Sequence, residues 1–219
     1  MAEASDMSLT IDHIFVFVQH DTTLSALTES YRRAHPGQGT ANVCYCFDNA
    51  YLELLWAVNS DELRDIPRTG LFERSRWRDN GASPFGIALR SNGPDRRLPF
   101  PCWDYAPSYL PPGLTIPMAN SSADPRQPLI FLSPGSQPPS AWTDGRAGQR
   151  QRATGLTDIS GLRVGLPSNA PPCEALLFLA TAGLLSIEPT DRHTMALTFS
   201  TDHGSRRSLS LPELVFAEP

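Results

Sequence analysis

Two side chains in this sequence are of the right kind for acid–base or metal chemistry and sit where neither is expected by default. Glu53 stands between leucines in Leu52-Glu53-Leu54-Leu55, and His13 lies in the apolar run Ile11–Val18. A carboxylate in such a setting is costly unless water, a hydrogen bond, a cation or a metal answers it. An imidazole facing that carboxylate has three uses: to share a divalent ion, to work as a proton-transferring dyad, or simply to satisfy its partner.

The elements that must position them can be read from periodicity. Ile11–Val18 is rich in β-branched and aromatic residues and reads as a strand, with His13, Phe15 and Phe17 on one face and Ile14, Val16 and Val18 on the other. Ala41–Ala57 reads as a hairpin turning at Asp48-Asn49. A two-residue turn there sets Phe47 opposite Ala50, Tyr45 opposite Leu52 and Cys44 opposite Glu53. One face then carries Ala41, Val43, Tyr45, Phe47, Leu52, Leu54 and Trp56, which suits packing under a helix. The other carries Thr40, Asn42, Cys44, Cys46, Tyr51, Glu53 and Leu55, a small semi-polar face suited to lining a cavity. Glu53 is thus among leucines in sequence only, and Asn42 joins it as a substrate-binding candidate.

Around this hairpin, Asp21-Thr22-Thr23 offers an N-cap, and Leu24, Leu27 and Tyr31 follow at helical spacing, with His35-Pro36-Gly37 as the stop. The polar segment from Asn59 to Ser83 is expected to be partly helical, and Phe85–Arg90 to be a strand. From Ser91 to about Arg152 the chain is dominated by Pro, Gly, Ser and Arg, with strands expected only at Leu114–Ile116 and Leu129–Leu132. So long a segment in a compact domain points to function or mobility, here to covering one end of the cleft. Trp103, Tyr105 and Tyr109 within it are candidate walls of a ligand site or loop anchors. Arg90 shares a strand face with Gly86 and Ala88 and is a candidate for a substrate anion, a surface salt bridge being the alternative. The last third reads as strand Leu162–Leu166, helix Cys173–Ala182 stopped by Gly183, and strands Thr194–Phe199 and Ser208–Phe216. His193 and His203 fall in turns and are expected to be solvated. A β-α-β-β order occurs at both ends of the chain.

Composition bounds the function. The chain has 219 residues, 40% hydrophobic and 19% charged, with a net charge of −5 and no basic cluster, which argues against nucleic acid or an anionic membrane as partner. No apolar run approaches the roughly 20 residues of a spanning helix, and no secretory leader is read at the N-terminus. Cys44, Cys46, Cys102 and Cys173 lack a disulfide-framework spacing, so a reducing, cytoplasmic setting is expected. Cys44 and Cys46 point the same way, but reduced structural cysteines are commoner than a zinc pair. No G-x-S-x-G, P-loop, G-x-G-x-x-G after a strand or H-E-x-x-H occurs.

The run "IDHIFVFV", with "AYLELLWA" and then "FGIALR", resembles the vicinal oxygen chelate superfamily, which includes glyoxalase I and the extradiol dioxygenases. With "HPGQGTAN" and "CWDYAPSYLPPG" added, the sequence is similar to its glyoxalase-like proteins over about residues 10–135. The resemblance implies an α+β fold of paired βαβββ-like modules forming a curved mixed sheet around a cleft. It implies residues 1–9 as a disordered tail and 10–219 as a single domain. The first module would run over about 10–84. The second, about 85–219, would hold the Pro-rich insertion and a C-terminal βαββ unit that either completes it or adds to it. It further implies His13 and Glu53 as ligands of a divalent metal (Mn, Fe, Ni or Zn) and as the catalytic pair, a small-molecule ligand as the partner, and an association state in which a homodimer would suit the fold.

The sequence also departs from that pattern. Where glyoxalase I has a second histidine in "HIAL", this chain has Gly86, and "PLIFLSP" holds no closing carboxylate. Two protein ligands hold a divalent ion poorly. A third would have to come from Cys44, Asp104, Cys102 or His35, none of which matches a family ligand position. The expectations are therefore a metal-dependent lyase, isomerase or oxygenase on a small oxygenated substrate, a metal-free protein that binds or sequesters a small molecule, or a degenerate interaction module.

Overall fold

The hairpin forms with the expected register. In the computed structural model, which describes residues 9–66, 68–91, 97–135 and 137–217, Tyr45 pairs with Leu52 and Cys44 with Glu53. The two strands are β3 (Thr40–Cys46) and β4 (Tyr51–Ala57), preceded by β1 (Leu9–Phe17) and β2 (Tyr31–His35). Leu9 opens β1, and residues 1–8 of the expected tail lie outside the described residues. Three short helices follow: α1 (Ser60–Arg64), α2 (Leu71–Ser75) and α3 (Trp77–Asn80). Then come β5 (Phe85–Ser91), β6 (Cys102–Tyr105), β7 (Ile116–Ala119) and β8 (Leu129–Leu132).

These eight strands make one mixed sheet in the order β2-β3-β4-β1-β5-β8-β7-β6. Each half repeats one pattern. The first strand lies parallel to the fourth, β1 to β4 and β5 to β8, and the remaining strands add antiparallel outward. The halves join through the antiparallel β1–β5 pair. The fold is thus α+β with paired modules, and the second module closes at Leu132.

The helix expected from Asp21 to Tyr31 does not form. Leu24 and Leu27 are buried, but from a loop, whose backbone finds tertiary partners instead of a helical ladder. Leu24 N–H donates to the Tyr45 hydroxyl, and Gln151 brackets Thr28 by accepting from its N–H and donating to its carbonyl. Tyr31–His35 instead pairs with β3 as an edge strand, which turns Tyr31, Arg33 and His35 toward the hairpin's polar face. Alternation at 31, 33 and 35 competes with the helical spacing of 24, 27 and 31, and pairing to an open sheet edge wins.

The apolar face of the hairpin therefore packs on a second sheet. The C-terminal strands are β9 (Leu156–Leu166), β10 (Ser186–Pro189), β11 (Thr194–Thr201), β12 (Arg206–Leu211) and β13 (Val215–Ala217), ordered β10-β9-β11-β12-β13. The helix α4 (Glu174–Thr181) lies between β9 and β10, with Gly183 at φ +73 just past its end, where only glycine is unstrained. One hydrophobic cluster joins Ile14, Val16, Leu52, Leu54 and Ile87 of the first sheet to Leu162, Val164, Leu197 and Phe199 of the second. The hairpin turn is stitched directly to β9. Asn49 exchanges two hydrogen bonds with the Ile159 backbone, at 2.9 and 3.0 Å, as a strand residue would, and Phe47 stacks on Phe199 at 4.8 Å.

Arg74 of α2 is fully buried, and its guanidinium donates to six backbone carbonyls, those of Thr69, Ser83, Ser122, Asp124, Pro125 and Gln127. It fixes the path of the chain into β5 and into β8. Arg74→Met strips these carbonyls of their donor and is expected to cost at least about 3 kcal/mol of unfolding free energy. Denaturant midpoints measure this, and a cost under about 1 kcal/mol would show that water replaces the guanidinium.

His193, expected in a solvated turn, is instead buried at 7% exposure. Burial first, and then the Arg74 charge, push its pKa down to about 4 from the ordinary 6.5. The folded chain keeps this ring neutral while the unfolded chain takes up a proton, so stability is lost as the pH falls from about 6.5 toward about 4. Melting temperatures measured across that range should fall more gently for His193→Gln than for the wild type. Parallel curves would assign the acid sensitivity to other groups.

Candidate functional site

The polar face of the hairpin forms one wall of a cavity of about 450 Å³. From the first module come Asp12, His13, Tyr31, Arg33, Asn42 and Glu53, and from the second Ile116, Met118, Leu129 and Phe131. The Pro-rich region adds Tyr105, Tyr109 and Leu110, and further along Ser133, Gln137 and Trp142 among others.

His13 and Glu53 meet there. His13 Nε2 lies 3.6 Å from Glu53 Oε2, and both residues are only 6% exposed. That gap exceeds a hydrogen bond but lets one reacting atom approach both groups. Asn42 Nδ2 donates to the other carboxylate oxygen, Oε1. Behind the imidazole stands Asp12, whose Oδ2 accepts from His13 Nδ1 at 2.8 Å, while its Oδ1 accepts from Arg90 Nη1 at 2.9 Å. The sequence reading omits Asp12 because strict alternation sends neighbours 12 and 13 to opposite faces. A β-bulge defeats the alternation. Ile11 pairs with Leu89 and His13 with Ala88, so Asp12 is an extra residue on β1 and turns toward the site with His13. A charged residue beside His13 in an otherwise apolar strand is the one signal the sequence offers for it.

Arg90 does not line the cavity. Its charge is buried against Asp12, and its Nη2 donates to the Asn49 carbonyl at 2.9 Å, so it backs the site as neither an anion receptor nor a surface ion pair. Tyr105 and Tyr109 do line the cavity, whereas Trp103 stands outside it with the Arg68 guanidinium 4.7 Å above its ring. The sequence reading also leaves out Arg33, Tyr31 and Trp142. Tyr51 stacks on His13 at 4.3 Å and meets Trp142 edge-on at 5.7 Å.

Burial favours the neutral forms of the site's tyrosines and of His35. It raises the hydroxyl pKa of Tyr31, Tyr51 and Tyr109, pushes Tyr105 up to about 12, and lowers His35 against the opposing pull of Glu53. His35 Nδ1 is 2.9 Å from Thr40 Oγ1, which also accepts from Gln38, and the Tyr105 hydroxyl donates to Gln38 Oε1 at 3.3 Å. The "HPGQG" turn therefore forms a polar strip bound to β6 and carries no phosphate cradle.

Among the described residues no group of three His, Cys, Asp or Glu side chains is arranged to hold a divalent ion. Cys44 is sealed in the sheet, its thiol pushed well above the ordinary value by burial and then by Glu53. Cys102 and Asp104 lie on exposed positions of β6, away from the cavity lining. Gly86 is more than a missing ligand. A Cβ built on it would lie 2.0 Å from the Phe15 ring, so that ring occupies the place a second histidine would need. The residues present do not fit a family-type metal site.

The paired modules around one cavity are the architecture of the vicinal oxygen chelate fold. Residues 11–98 match the family model of the glyoxalase-like domain. No curated protein and no solved structure matches the chain. Among the described residues no helix is long and apolar enough to cross a membrane.

If Phe15 is what reserves position 86 for glycine, Gly86→Ala is expected to cost about 1–3 kcal/mol in the wild type and much less in a Phe15→Ala background. A double-mutant cycle on denaturant midpoints measures the coupling. Equal costs in both backgrounds would place the constraint elsewhere.

Proposed function

We propose that the cavity binds a small oxygen-bearing organic molecule and that His13 and Glu53 move a proton on it without a metal ion between them, as in an isomerase or lyase. The observation that carries this reading is the orientation of His13. Asp12 holds its Nδ1, Arg90 offsets the Asp12 charge, and Nε2 is left facing both the cavity and Glu53. A base or acid oriented by a third group, with its partner within reach of the same substrate atom, is the arrangement general acid–base catalysis needs.

The metal-dependent alternative has weaker support in the donor set. Only His13 and Glu53 are offered from family ligand positions, one Glu53 oxygen already accepts from Asn42, and catalytic sites usually draw on three protein ligands. A second reading, a protein that holds its ligand unchanged, is favoured by the apolar wall of Ile116, Met118, Leu129 and Phe131 where a two-sided catalytic site would place polar groups.

Proton NMR of the tag-free protein in D₂O, with a panel of small 2-oxo acids, 2-hydroxy acids and ketones, separates these readings. Proton transfer predicts exchange of a carbon-bound hydrogen for deuterium, lowered about 100-fold or more by Glu53→Gln and by His13→Ala and unaffected by EDTA. Exchange lost on chelation and restored by Mn²⁺, Fe²⁺, Ni²⁺ or Zn²⁺ would overturn the metal-free reading. Line broadening of a bound compound without exchange would favour the holding protein.

A further inference from the structure

The cavity wall carries a cation and an unsatisfied acceptor side by side. Arg33 and Asn42 are register partners on β2 and β3, and both line the cavity. The other lining arginine, Arg146, is 3.2 Å from Asp144 and lies over the Trp142 ring. Arg33 has no carboxylate partner among the described residues, its guanidinium resting 5.9 Å from the Tyr31 ring. Asn42 is 5% exposed, and among the described residues its Oδ1 has no hydrogen-bond partner. Its orientation is fixed chemically, because Nδ2 donates to Glu53 Oε1, and a flipped amide would set its oxygen against the carboxylate. A buried acceptor beside an uncommitted guanidinium asks for a ligand with an anion and, one atom away, a donor.

Resting on the reading of this cavity as the ligand site, we infer that the ligand is a carboxylate with a hydroxyl or ammonium donor on the neighbouring carbon. The carboxylate lies on Arg33 and the donor on Asn42 Oδ1. Asn42 in turn touches Glu53, so the donor-bearing carbon is carried toward the His13–Glu53 pair. The substituent beyond it meets Tyr31, Tyr51 and Trp142, whose rings lie 5.7–6.3 Å apart, and this favours a flat apolar group.

Calorimetric titration with 3-phenyllactate, phenylalanine and the donor-less 3-phenylpropanoate tests this, with the hydroxyl and ammonium forms separated by the first two. At least one donor-bearing acid is expected to bind ten-fold or more tighter than 3-phenylpropanoate. Arg33→Met should weaken all three at least ten-fold, with an unchanged melting temperature because the side chain is exposed. Asn42→Ala should erase the preference for the donor while sparing the binding that Arg33 provides. Three acids that bind equally, or a preference that survives Asn42→Ala, overturn the ligand class while leaving the cavity as a binding site. Failure of all three to bind, alongside deuterium exchange on an uncharged ketone, overturns the class and leaves the proton-transfer reading standing. Failure of all three together with no binding or exchange anywhere in the panel overturns both.

Discussion

The buried ion pair between Arg90 and Asp12 is the interaction on which the rest depends. It spans the β1–β5 junction of the two modules at 2.9 Å, with both side chains sealed from solvent. Removing one partner of such a pair strands a buried charge, which is far more costly than the net worth of the pair. Here each partner also has a second task. Asp12 turns its other oxygen to His13, and Arg90 turns its other nitrogen to the carbonyl of Asn49, whose side chain stitches the hairpin to β9. The orientation of the site imidazole and the docking of the second sheet therefore share one guanidinium. The bulge at Asp12 makes this arrangement possible, since an unbroken strand would point Asp12 into the apolar layer between the sheets.

The two modules repeat a strand order but not a chemistry. The first supplies Asp12, His13, Arg33, Asn42 and Glu53, and strands β7 and β8 of the second supply Ile116, Met118, Leu129 and Phe131. Phe15 fills the space above Gly86, so the second module cannot regain a histidine there without repacking the floor of the cavity. A one-sided polar wall facing an apolar one suits a ligand with a charged head and an apolar body. The second sheet takes over the packing role that the expected first helix was to fill. It covers the outer face of the eight-stranded sheet, and the Leu24–Leu27 loop fills the margin of the same cluster.

Much of this was legible in the sequence, for physical reasons that can be named. The hairpin register follows from a two-residue turn, and with it the division into an apolar face and a cavity face, because alternation on a regular strand is geometrically strict. Glu53, His13 and Asn42 are brought together as that alternation implies. The reading fails where regularity fails or where the decision is tertiary. The bulge hides Asp12. The helix over residues 21–35 loses to an edge strand because the open edge of β3 offers a complete ladder. Arg33 goes unread as a result, since as a helix residue it has no reason to face Asn42. Trp103 lies in the same proline-rich run as Tyr105 and Tyr109, and proximity in sequence does not tell that it stands outside the cavity. His193 is turn-like in sequence, and its burial is decided by tertiary packing that local sequence does not show.

The central claim is that His13 is oriented by Asp12 for work at its Nε2. Nitrogen-15 NMR of the imidazole, assigned by comparison with His13→Gln, tests it most directly. The account predicts a proton on Nδ1 that exchanges slowly with water, is shifted downfield by its bond to a carboxylate, and loses that signature in Asp12→Asn, which keeps the shape of the side chain and an oxygen for Arg90. A ring whose Nδ1 carries no proton, or one whose spectrum is the same with and without Asp12, would contradict it.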